Sequence, residues 1–160
     1  MTIASGRPVG TTDPATLVDP EVMERLAARI AKDHPEHNIA TARRIVAQTA
    51  AFLATGAQRP GLELSPSKLV DVGWHTWILH TVDYAAFCEQ VAGRFIHHAP
   101  TAEGEGAEGS AEAERQRTLE AVSGAGFRID PDLWPVAAIM GDCSQCHAGC
   151  TDSPNSGKKQ

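Results

Sequence analysis

The chain has 160 residues, with 14 Lys and Arg against 20 Asp and Glu, for a formal net charge of -6. That length suits one compact domain able to bury most of its apolar surface, and the acidic balance argues against a general nucleic-acid binder, which needs a basic face. No apolar run approaches a membrane span, and Met1 to Gly10 lacks the charged start, apolar stretch and cleavage site of an export signal, so a cytoplasmic protein is expected.

Residues 1–18, rich in Gly, Thr, Pro and Ser, read as a flexible leader to a helical domain over 19–142. Asp19-Pro20 is a helix start, the carboxylate capping free amides and the proline suiting the first turn. Val22, Leu26 and Ile30 then recur at helical spacing. After a break over Lys32 to Asn38, Ile39, Ala42, Ile45, Val46, Thr49, Phe52 and Leu53 mark a second helix, with Gly56 as its stop. Ser65-Pro66 starts a third helix, apolar around much of its circumference and hence central. It ends near His80, and Thr81 caps a fourth helix over Val82 to Ala92, closed by Gly93. Arg94 to His98 is expected to be extended. Thr101 to Ala113, with Glu, Gly and Ala and almost no apolar bulk, reads as a flexible linker. Arg115 to Ala125 resumes as a helix, and Asp130-Pro131 starts a last one leading through Trp134 and Ile139 into a cysteine-rich tail at 143–150. Residues 151–160 read as disordered. The fold class is all-α, a small bundle of about five helices with a Cys-rich C-terminal tail.

Five of the seven histidines and all four cysteines fall in two windows, 74–98 and 143–150. Thiolate and neutral imidazole are ligands for zinc, copper and iron rather than magnesium or calcium. In a reducing compartment such a cluster points to a metal or redox site before a disulfide framework. On the third helix Asp71 and His75 are four apart and share a face. The carboxylate there could orient a metal-bound imidazole by accepting its spare ring N–H. His75 and His80 are about 140° apart around an ideal helix, so this is not the His-Glu-x-x-His arrangement of metallopeptidases. His97 and His98 would point to opposite sides of an extended segment, and spacing does not choose between them. Cys88 reads as a small core residue.

In the tail, Cys143 and Cys146 form a Cys-x-x-Cys pair, Cys150 adds a third thiolate, and His147 is an adjacent fourth candidate. Structural zinc is the simplest outcome, and such a site contributes about 10–16 kcal/mol of binding free energy. If His147 lies too close to Cys146, one of His75, His80, His97 or His98 could complete the shell and tie the tail to the bundle. Cys-x-x-Cys-His also matches a c-type haem attachment pattern, but that chemistry needs an exported setting. A thioredoxin-like reading lacks its preceding strand. An iron–sulfur cluster and a reduced, metal-free tail stay open, as does a tail that is the substrate of a modifying enzyme.

Over Val70 to Tyr84 the chain resembles the glycine-rich domain-containing protein-like family, through Asp71, the Trp74-His75 pair, His80 and Tyr84. It is similar in particular to small actinobacterial members with a cysteine-rich tail. The resemblance extends to Gly93 to His98 and departs where Trp77 stands in place of a commoner histidine. It implies membership of a largely uncharacterised family and no specific activity.

The expectation is therefore a small metal-binding helical protein, zinc favoured and iron, copper or an iron–sulfur cluster as alternatives. Its ligands come from Cys143, Cys146, Cys150, His147, His75, His80, His97 and His98, with Asp71 and Tyr84 supporting them. It would act as a structural module or bind a protein partner or small molecule. The rival is a metal-dependent hydrolase or oxidoreductase built around His75, His80 and His98, in which an open metal position activates water or oxygen.

Overall fold

A computed structural model describes residues 11–99 and 108–136, with side chains from 111 onward in the second stretch. The fold is an all-α small bundle of five helices: α1 (Pro20–Asp33), α2 (Ile39–Gln58), α3 (Lys68–Leu79), α4 (Thr81–Ala92) and α5 (Glu108–Gly124). Short 3-10 turns at Pro14–Leu17 and Pro131–Leu133 flank them. Among the described residues the one β interaction is an isolated parallel bridge between Thr12 and Phe127. No helix among them is long and apolar enough to cross a membrane.

Capping explains where the helices begin. Asp19 accepts from the amides of Glu21 and Val22, and Asn38 from that of Thr41. Each satisfies donors that a helix N-terminus leaves free. The third start differs from the expected Ser65. Ser67 is the cap, accepting from Val70 N at 3.1 Å while donating to Leu133 O at 2.7 Å. Ser65 is instead held by α5, through Thr118 and Glu114. Thr81 lies inside α4 rather than capping it, and His80 occupies the cap position without a side-chain bond. Gly93 ends α4 in the left-handed region, φ 65°, which glycine adopts without strain.

α2 is the axis of the bundle, burying residues from Ala42 to Thr55 against α1, α3, α4 and α5. Leu26, Ile30, Ile45, Val46, Val70, Trp77 and Tyr84 form the central core. Phe52 bridges two tryptophans, its ring centroid 5.4 Å from that of Trp74 and 6.4 Å from that of Trp134. A smaller cluster of Ala51, Ala54, Val122 and Phe127 joins α5 to α2.

Other segments are more ordered than their composition suggests. Within the expected leader, Asp13 caps the first turn, Pro14 and Val18 are buried, and Thr12 pairs with Gly126 and Arg128. The last six residues of the expected linker, 108–113, belong to α5; their glutamates and alanines are strong helix formers, which low apolar content had obscured. Asp130 caps no long helix. Arg44 takes its carboxylate in a two-pronged bond of 2.6 and 2.7 Å, leaving only the turn Pro131–Leu133. α2 also runs through Gly56 to Gln58. Ile139, the cysteine tail and 151–160 lie outside the described residues.

α3 approaches α2 closely because Gly73 has no side chain. A Cβ there would lie 2.2 Å from Thr49 Oγ1 and 3.0 Å from Ile45 Cγ2, while Thr49 Oγ1 is already donating to the carbonyls of Ile45 and Val70. Gly73→Ala is expected to destabilise the fold by about 1–3 kcal/mol through overpacking. Gly56→Ala, where a Cβ meets nothing within 4 Å, should stabilise α2 by about 0.5–1 kcal/mol. Chemical denaturation of the two variants checks both signs.

Candidate metal site

Asp71 and His75 lie one turn apart on the side of α3 away from Gly73. His75 Nδ1 is 3.3 Å from Asp71 Oδ2. Past Gly93 the chain runs back along the bundle, and His98 Nε2 comes within 2.8 Å of the other oxygen, Asp71 Oδ1. One carboxylate thus holds two imidazoles. The rings of His75 and His98 stack at 4.6 Å and 8° from parallel, and the second face of His98 lies on Trp74 at 4.0 Å. One potential ligand atom from each of Asp71, His75 and His98 lies within 4.8 Å of the others. Zinc bonds of about 2.0–2.1 Å at tetrahedral angles separate neighbouring donors by roughly 3.3 Å, so for all three donors to reach one ion the near-parallel rings of His75 and His98 would have to turn toward each other.

Burial differs sharply across the three. The side chain of His98 is 11% exposed, that of Asp71 34% and that of His75 58%. His98 is fixed by packing on both faces, whereas His75 borders solvent. The two histidines after Gly93 face different surroundings. His98 turns in to Trp74 and Asp71, and the exposed His97 packs its ring against Phe95 at 5.0 Å.

His80 does not join them. Its Nδ1 lies 2.9 Å from Thr76 O, so the ring folds back onto the end of α3. Cys88 is buried in the core as a free thiol. Cys143, Cys146, His147 and Cys150 lie outside the described residues. Asp71, expected to serve one histidine, contacts two, and it stands where it could itself be a ligand. The role of Trp74 as the floor under His98 was not legible beforehand, since nothing in the local sequence pairs residues 24 positions apart.

Tyr84 is fully buried behind this floor. Its hydroxyl accepts from Trp74 Nε1 at 2.9 Å and donates to Ile96 O at 2.6 Å. Burial pushes the phenol above its ordinary value of 10.0, the indole N–H pulls the other way, and the Cys88 thiol adds to the upward push.

The matched part of the chain runs over residues 15–121 and takes in Asp71, His75, Tyr84 and His98. The chain belongs to the UCP032817-like family. This corrects the resemblance to the glycine-rich domain-containing protein-like family: a Trp-His pair, a Leu-His step and a tyrosine between Trp74 and Tyr84 are too few positions to separate helical families. The UCP032817-like family is uncharacterised, so membership carries no activity with it, and the cysteine tail lies beyond the matched residues. No curated protein and no solved structure matches the chain.

Because native Tyr84 is held protonated, its contribution to stability is complete below pH 10, the ordinary value, and is lost as pH rises above it. Tyr84 is the one tyrosine of the chain, so tyrosinate absorbance reports it alone. That absorbance should stay absent around pH 10 while helical circular dichroism persists and develop only as the helices melt. Ionisation at pH 10 in folded protein would contradict the buried, donating hydroxyl.

Proposed function

We propose that this is a small transition-metal-binding helical protein in which Asp71, His75 and His98 hold the ion, with zinc favoured over iron and copper. The observation that carries this reading is the convergence of two imidazoles and a carboxylate, drawn from α3 and the segment after α4, within 4.8 Å. A two-histidine, one-carboxylate set suits zinc or non-haem iron and leaves coordination positions free. His75 Nδ1 and His98 Nε2 would turn from Asp71 to the ion, each ring carrying its N–H on the other nitrogen, and Asp71 would change from acceptor to ligand.

The role favoured is that of a metal-pinned module acting through a protein partner or small molecule, because the ion would lock α3 to the chain after α4. The cavities beside α5 and beside Arg44, of about 460 and 310 Å³, are not lined by these three residues. The thiols of Cys143, Cys146 and Cys150, with His147, would hold a second ion or complete the first. A cytoplasmic setting, which keeps thiols reduced, goes with this reading. The second reading is a metal-dependent enzyme, and the exposure of His75 speaks for it: an ion there would keep a position facing water.

Titration of the full chain with zinc and cobalt(II) tests both. Wild type should bind, and His98→Ala and His75→Ala should weaken binding by at least about 100-fold, beyond the 10–100-fold typical of groups that only support a ligand. His80→Ala should leave it unchanged. A second ion lost in Cys143→Ser separates the tail site from the triad. A cobalt spectrum that shifts with small anions favours the open, enzyme-like site. Full-affinity binding by both His75→Ala and His98→Ala would remove the triad as the site.

A further inference from the structure

Resting on the metal reading above, we infer that Tyr84, which touches no proposed ligand atom, is the positioning residue that sets the affinity of the site. Its hydroxyl ties together the two supports of His98. One is the backbone: Ile96, whose carbonyl receives the Tyr84 proton at 2.6 Å, is two residues before His98. The other is the floor: Trp74, whose ring carries His98 at 4.0 Å, donates its indole N–H to the same oxygen at 2.9 Å.

These contacts close a ring of interactions. It runs from Asp71 to His98, from His98 to Trp74, from Trp74 to Tyr84, and from Tyr84 through Ile96 back to His98. Asp71 and Trp74 belong to α3, so both are fixed relative to each other by the helix. His98 comes from a segment without regular secondary structure, and its height above α3 is set by the bond at Ile96. A hydroxyl is the one group that suits this place, since it accepts from the indole and donates to the carbonyl through a single atom. Phenylalanine would keep the ring contacts to Trp77 and Phe95 but leave both polar groups unsatisfied. The 95–98 segment would then move to find water, carrying His98 with it.

The test compares zinc and cobalt(II) affinity in wild type, Tyr84→Phe and Val122→Ala. The last variant weakens the α5–α2 cluster, away from the site, and matches any loss of melting temperature. Tyr84→Phe should bind about 10- to 100-fold more weakly, with an altered cobalt spectrum, and Val122→Ala should bind as wild type does. Unchanged affinity in Tyr84→Phe overturns the inference, as does an equal loss in both variants, which would mark a general effect of stability. If wild type takes up neither ion, the metal reading fails by itself. The ring-proton signals of His98 in the ion-free protein then decide: displacement in Tyr84→Phe upholds the positioning role, and unmoved signals overturn it.

Discussion

The contact of α3 with α2 at Gly73 governs where everything else can go. With a Cβ excluded by Thr49 Oγ1 at 2.2 Å, the backbones lie close and the orientation of α3 is fixed. Positions two residues away are turned about 200° around the helix. Asp71 and His75 are therefore both driven to the far side, one above the other, while Val70, Trp74 and Trp77 flank the contact and fill the core. The site follows from the packing: a small residue at the tight contact and polar residues two steps to either side.

The same economy shows in how the buried polar groups near the site are satisfied. Trp74 and Trp77 are both buried tryptophans of α3, yet they are treated differently. Trp74 Nε1 reaches Tyr84, whereas Trp77 Nε1 is buried with no hydrogen-bond partner among the described residues. An unsatisfied buried donor costs about 1–3 kcal/mol, and the fold bears that cost beside Phe87, in the interior. At the tryptophan that carries His98 the donor is used, together with a phenol held in its protonated form. The polar bonding is concentrated where a side chain has to be held in one place.

The helical architecture was largely open to reading because its signals are local. Asp19-Pro20, the apolar spacing through Leu26 and Ile30, and Gly93 act within a turn of where they stand, and the structure bears out each of them. Two of the missed starts share a cause: Ser65 and Asp130 are capable caps whose side chains are drawn off by residues 49 to 86 positions away. Two of the three residues of the candidate site were legible for the same reason. Asp71 and His75 are paired by helical spacing alone, while His98 joins them only through tertiary packing, where its ring rather than that of His97 lies on Trp74. His80 was a further candidate, yet its Nδ1 lies 2.9 Å from the Thr76 carbonyl one turn behind it.

The two proposed ligand sets differ in both chemistry and position. Two imidazoles and a carboxylate make a borderline site that leaves coordination positions open, whereas three thiolates make a soft set that tends to close around its ion. The family match takes in the first set and stops before the second. A property carried by the matched region can thus involve Asp71, His75, His98 and the tyrosine behind them, but not the thiols. If both sets bind as proposed, a tail thiolate completing the triad would close the position that the exposed His75 would otherwise leave facing water.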